Sequence, residues 1–165
     1  MRLFLALWPD ADVRAQLRDR RDAWQWPRGA TPVHDDKLHL TLHFLGGVPT
    51  ARLPELLEGF AVPFDAFRLE IGPAVAWHHG LAVLEPVATP PELPALHARL
   101  GEALTTLGLQ PEARAYRPHV TMARRAAGAV APIQDVTITW DVTGYALVES
   151  RPDSGGGYTV LREYP

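Results

Sequence analysis

The chain has no cysteine. That excludes a disulfide framework, a thiolate nucleophile and a thiolate metal site. Lysine is almost missing as well: Lys37 is the single one among 16 basic residues. Arginine suits bidentate phosphate contacts, yet with alanine, proline and glycine so abundant the excess reads as a compositional bias of the source. There is no basic surplus, since the formal net charge is −3. Broad electrostatic coating of nucleic acid is thereby disfavoured, whereas local capture of one phosphate is not. Long hydrophobic runs are absent too. The apolar opening Met1–Trp8 stops at Pro9-Asp10, too short for a signal h-region with its cleavage site or for a membrane span. A cytoplasmic protein without membrane contact is expected. No cluster of Asp or Glu has ligand spacing, so neither a metal nor another cofactor is expected. No low-complexity linker divides the 165 residues, and one domain over 1–165 is expected.

What is present is a pattern used twice. Leu38-His39-Leu40-Thr41-Leu42-His43-Phe44 and, eighty residues on, Pro118-His119-Val120-Thr121-Met122 each read apolar–His–apolar–Thr–apolar. Period-2 alternation is that of a half-buried strand. Successive side chains point to opposite faces, so His39 and Thr41 share one face, and His119 and Thr121 share one face. The two copies stand near one quarter and three quarters of the chain, as a duplicated half-domain would place them. Little else repeats, so any duplication is ancient or only architectural.

Along the chain, residues 2–8 read as a buried strand. Asp10 reads as the N-cap of a helix with Val13, Leu17 and Trp24 inward, and Arg18, Arg20, Arg21 and Asp22 form its solvated face. Trp26–Gly29 ends it, and Thr31-Pro32 leads into the first motif, which Gly46–Pro49 closes. A short helix is expected around 51–60. Strands are expected over Phe67–Val75 and Leu81–Val87, joined through Trp77-His78-His79-Gly80. A helix starting at Thr89–Glu92 carries Leu93, Leu96, Leu100, Leu104 and Leu107 on one side, with Gly108 as C-cap. After the second motif come strands over Val136–Trp140 and Tyr145–Glu149, a Gly-rich turn over Ser150–Gly157 and a last strand, Tyr158–Arg162. Seven or eight strands and three helices without a strict βαβ rhythm favour α+β with antiparallel sheets.

Two imidazoles that face each other suit general acid–base chemistry near neutral pH, one accepting a proton while the other donates. Displacement at phosphorus needs such a pair roughly in line, with donors for the non-bridging oxygens. Thr41 and Thr121 are placed to be those donors. The bland alternatives are read beside this. A single strand histidine is more often packed than catalytic. His43 has the parity of His39 and either lines the cleft mouth or is a solvated strand-end residue, the latter being favoured. His78 and His79 alternate faces in a turn and read as loop residues, His34 and His97 as surface, and Trp77 and Trp140 as core aromatics.

These residues resemble the two-histidine phosphoesterases, and within them the RNA 2′,3′-cyclic phosphodiesterase (RNA 2′-5′ ligase) family. The resemblance includes Met1–Phe4, Leu38–Gly46, Tyr116–Arg124, Glu149-Ser150-Arg151 and Gly155–Leu161. It implies a bilobal α+β fold of two antiparallel sheets with outer helices and a central cleft, the lobes being pseudo-symmetric. It implies metal-independent hydrolysis of RNA 2′,3′-cyclic phosphate ends to 2′-phosphates, reversible as 2′-5′ ligation. His39 would be the acid and His119 the base, although on the sequence the two roles are interchangeable. Thr41 and Thr121 would hold the phosphate, and Arg124 matches a phosphate-contacting arginine. Two features depart from this picture. Relatives often carry Lys at the position of His43. Arg124 is off the parity of His119 and Thr121 and must reach the cleft by a strand end or twist, while Arg117 has the right parity and stabilises the strand. Small cyclic nucleotides or an ADP-ribose cyclic phosphate are alternative substrates. A non-catalytic RNA-end binding module is the alternative of another class, and a monomer is the default state.

Overall fold

The computed structural model describes residues 1–134, 136–152 and 156–165. In chain order the elements are β1 (Arg2–Leu7), α1 (Ala11–Asp22), β2 (Thr31–Pro32), β3 (Leu40–Gly47), α2 (Leu53–Gly59), β4 (Phe67–Trp77), β5 (Leu81–Pro86), α3 (Glu92–Thr106), β6 (Val120–Arg124), β7 (Ile138–Val142), β8 (Tyr145–Arg151) and β9 (Gly157–Tyr164). The strands lie in the order β7-β4-β5-β6-β3-β1-β8-β9, with β2 added on β6, and all pairings are antiparallel. The expected α+β class is the one observed. The Gly-rich turn expected over Ser150–Gly157 falls partly outside the described residues, and β8 itself runs on to Arg151.

Two four-stranded halves, β9-β8-β1-β3 and β6-β5-β4-β7, meet edge to edge through β3 and β6. The register between those strands is a single pair, Leu40↔Val120. The two expected sheets are therefore one sheet pinched at its middle. β2 reinforces the crossing: Thr31 and Pro32 pair with Arg124 and Ala123, and the Val33 amide donates to the Met122 carbonyl at 2.8 Å.

The helices exist because their apolar stripes need a partner. In α3, Leu93, Leu96, Leu100 and Leu104 are buried together with Leu40, Leu84 and Val120 in the main core. Asp10 caps α1 by accepting from the Val13 amide at 2.9 Å. The expected solvated face of α1 is corrected at two positions. Arg20 is only 5% exposed, and its guanidinium donates to the carbonyls of Gly72 and Gln134, each at 3.0 Å. Arg21 donates to the Val33 carbonyl and pairs with Asp35. Arg20 follows Val13 and Leu17 at i+7 and i+3, on their side of the helix, and its bonds to the two carbonyls compensate the guanidinium for burial there. No helix among the described residues is long and apolar enough to cross a membrane.

Candidate active site

Around the central pair Leu40↔Val120 the antiparallel register sets the motif residues crosswise. Counting outward, His39 lies opposite Thr121 and Thr41 opposite His119. Leu40 and Val120 are fully buried on one face, while the two histidines and two threonines are half-buried on the other. His119 acts electrostatically on His39, and the Arg124 guanidinium acts on both imidazoles. All four motif residues and Arg124 thus belong to one constellation.

Each imidazole is fixed in the same way. His39 Nδ1 is 2.6 Å from the Lys37 carbonyl, and His119 Nδ1 is 2.8 Å from the Arg117 carbonyl. A carbonyl only accepts, so each Nδ1 carries hydrogen and each neutral ring keeps its lone pair on Nε2. His39 Nε2 is 2.8 Å from Thr41 Oγ1, so the threonine hydroxyl donates to it in the neutral ring. The residue supplying the carbonyl also supplies a cation that lies over an aromatic ring touching the same imidazole. Arg117 sits 4.1 Å above Trp77, whose ring is 4.4 Å from His119. Lys37 sits 5.5 Å above Tyr158, whose ring is 5.6 Å from His39. Trp77, expected in the core, is half-buried and walls the site, whereas Trp140 is a core residue as expected.

The parity argument against Arg124 is resolved by a bulge. On β6, Thr121 pairs with Val83 and Ala123 with Ala82, leaving Met122 as an extra residue. Met122 and Ala123 are both buried and Arg124 is exposed, so the bulge returns Arg124 to the face of Thr121. The same bulge occurs in the first motif. Thr41 pairs with Ala6 and His43 with Leu5, leaving Leu42 extra. Leu42 and His43 are both buried and Phe44 is 52% exposed. Phe44 is therefore the counterpart of Arg124.

Two expectations about other histidines are corrected by this. His43 neither lines the cleft mouth nor is solvated; the bulge turns it into the back of the sheet, 4% exposed. There its Nε2–H donates to the His97 carbonyl at 2.8 Å, and its ring stacks on His97 at 4.0 Å. His97, expected at the surface, is half-buried and stacks in turn on Tyr116 at 3.8 Å. His97 sits at i+4 from Leu93 and i−3 from Leu100, a signal of the buried stripe. His78 and His79 do occupy a turn, with His79 at φ +62°. Among the described residues no group of three or more His, Asp or Glu could hold a metal.

The electrostatics separate the two imidazoles. Burial, reinforced by Arg14, His119 and Arg124, pushes His39 down to about 4 against a backbone bond that favours its proton. His119 is also lowered, chiefly by burial with Arg117 and Arg124 adding, while Glu85 opposes. Arg14 is held beside His39 by bonds to the Asp35 and Leu38 carbonyls, with its guanidinium 5.0 Å above Trp8. The arrangement can take a proton at one Nε2, give one at the other, and hold an anion between hydroxyls and Arg124.

Known proteins carry the same frame. The sequence pattern of the 2′-5′ RNA ligase superfamily matches residues 9–153. The RNA 2′,3′-cyclic phosphodiesterase of Thermus thermophilus is 35% identical, covering 99% of this chain and 89% of its own length. The protein of the same name from Escherichia coli is 31% identical, covering 99% of this chain and 95% of its own. The structure of Escherichia coli LigT complexed with 3′-AMP superposes with a TM-score of 0.82 at 27% identity, covering 99% and 96% of the two chains. With most of its length matched and its fold shared, this chain belongs to the 2′-5′ RNA ligase superfamily.

Proposed function

We propose that this protein hydrolyses the 2′,3′-cyclic phosphate at an RNA end to a 2′-phosphate and a free 3′-hydroxyl. The observation that carries the reading is the crosswise pair of imidazoles, each with Nδ1 satisfied by the carbonyl two residues before it and its lone pair on Nε2, which in His39 meets the Thr41 hydroxyl. His119 takes a proton from water as the water oxygen bonds to phosphorus; the bond from phosphorus to the 3′-oxygen breaks, and His39 gives that oxygen its proton. Thr41, Thr121 and Arg124 meet the charge on the non-bridging oxygens. Acid and base both come from the chain, so the scheme needs no metal. With a 5′-hydroxyl in place of water, the same displacement gives a 2′-5′ linkage. The two halves act as pseudo-symmetric lobes of one domain, each supplying one imidazole and one hydroxyl.

Both histidines favour the neutral form in the free protein, while the scheme needs one protonated. An arriving phosphate anion supplies the missing stabilisation, so binding is coupled to proton uptake. Phe44, exposed on the site's side of β3 and packed 6.2 Å from Phe4, offers a face to the terminal base. A second reading, a small cyclic nucleotide as substrate, is favoured by the formal net charge of −3, which gives no basic surplus for a long RNA, and by the 3′-AMP complex of the related LigT.

The test is hydrolysis of an oligonucleotide ending in 2′,3′-cyclic phosphate with excess EDTA, the product read by phosphorus NMR. A 2′-phosphate from the wild type, and little from folded His39→Ala or His119→Ala, is expected. Activity on cyclic mononucleotides alone selects the second reading. Tight binding of the RNA end without turnover makes the protein a binding module and ends the enzymatic proposal.

A further inference from the structure

The two halves share one ladder pair, and the chain before Val120 leaves the sheet. A side chain continues the join. The Tyr116 hydroxyl, three residues before His119, donates to the Thr41 main-chain carbonyl at 2.9 Å. We propose that Tyr116 is a positioning residue for the reaction, its phenol fixing the spacing between the strand of His39 and Thr41 and the segment that delivers His119. The inference rests on the reading that both imidazoles work on one phosphate.

The bond joins the two parts whose separation matters. Thr41 supplies an oxyanion donor and bonds His39, while Tyr116 is separated from His119 only by Arg117 and Pro118. Pro118 biases Arg117 toward extended backbone, so a shift at Tyr116 is passed along a stiff segment rather than absorbed. The phenol ring is itself held. It stacks on His97 at 3.8 Å and 12°, and His97 stacks on His43 at 4.0 Å and 18°. His43 lies on β3 and His97 on α3, so the phenol is clamped from behind the strand it bonds. Burial raises the phenol's pKa well above its ordinary value, and burial beside His43 holds His97 down to about 4. Tyr116 therefore stays a donor and the stack stays uncharged near neutral pH. An ordinary tertiary hydrogen bond would contribute stability alone, about 1 kcal/mol. A bond that sets the distance between reacting groups acts on turnover, where misplacement by about 1 Å costs about 100-fold.

The experiment compares Tyr116→Phe, which keeps the ring and removes the hydroxyl, with His97→Phe, which keeps a stacked ring and removes the imidazole. For each, kcat and KM on the cyclic-phosphate oligonucleotide are measured, together with Tm and the imidazole titrations of His39 and His119 by 15N NMR. Tyr116→Phe is expected to lower kcat by about 10-fold or more with KM within about twofold. Its His39 titration should move up toward the ordinary histidine value, as water enters and His119 and Arg124 draw away. His97→Phe is expected to leave kcat within about twofold. Wild-type kcat and an unmoved His39 titration in Tyr116→Phe would overturn the assignment, as would an equal kcat loss in His97→Phe, which would make packing the cause. If the wild type leaves cyclic phosphates intact, the functional reading fails by itself. The titration comparison then decides alone whether the phenol sets the spacing of the imidazoles.

Discussion

Beside His39 lie Phe4, Trp8, Tyr158 and Lys37; beside His119 lie Trp77, Arg117 and the charges of Glu85 and Arg124. The two surroundings share their framework: carbonyl to Nδ1, cation over aromatic, threonine two residues on, and a bulge one residue after that. They differ in lining. The first is the more aromatic, and its bulge delivers a phenylalanine; the second carries an ion pair between Arg117 and Glu85 at 2.8 Å, and its bulge delivers an arginine. The backbone thus supplies two equivalent imidazoles, and the lining makes them unequal. A phosphate with a base attached is unequal in the same sense, one end anionic and the other a flat apolar ring.

Removing the imidazoles tests the equivalence most severely. His39→Ala and His119→Ala should each lower kcat by about 1,000-fold or more, and the double variant should be little worse than either. A single variant that kept a tenth of the wild-type rate would break the parallel. Next come the bulge-delivered residues. Arg124→Ala should lower kcat/KM by about 100-fold, mostly in kcat, and Phe44→Ala by about 10-fold, mostly in KM. Steady-state kinetics separates the two, and a purely KM effect at Arg124 would remove it from transition-state duty.

Protonation sharpens the contrast. At pH 7, calorimetry of a 2′-mononucleotide in buffers of different ionisation enthalpy should report net proton uptake, because both histidines favour the neutral form beforehand. Zero uptake would mean that the free protein already holds the proton. Stability follows the same sign. His39 and His97 fall to about 4 in the folded chain, so the unfolded chain binds more protons below its ordinary histidine value of about 6.5. Stability should decline as pH falls from about 6.5 to about 4 and then level for these groups. Urea melts across that range should show a shallower decline in His97→Phe. The smallest effect is expected at the cations over the rings. Lys37→Met and Arg117→Met should each change kcat/KM only a few-fold, since a partly exposed cation–π contact is worth about 0.5–1 kcal/mol.

The parts of this design that alternation encodes were legible in the residues alone. Leu38, Leu40 and Val120 against His39, Thr41 and His119 gave the strands and their faces, and the Leu stripe of α3 gave its packing. The bulges were not legible, because Leu42-His43 and Met122-Ala123 continue a plausible alternation and only pairing with Leu5 or Ala82 exposes the extra residue. That one feature accounts for the misplacement of His43 and the puzzle of Arg124. His97 and Arg20 were missed for a different reason. Both are polar residues at apolar-stripe spacing, and both are accommodated by partners distant in sequence. Tyr116 stands three residues before His119, but its bond to Thr41 spans 75 residues and no local pattern carries it.

An alternating strand is a code read in phase, and the bulge is its frameshift. Everything beyond Met122 is read on the opposite side from the one the preceding residues announce. The five-residue interval from His119 to Arg124 is thus a specification rather than a spacer. Five residues in plain alternation would aim the cation into the core, and a chain shortened by one residue there would need no bulge to keep it on the site's face.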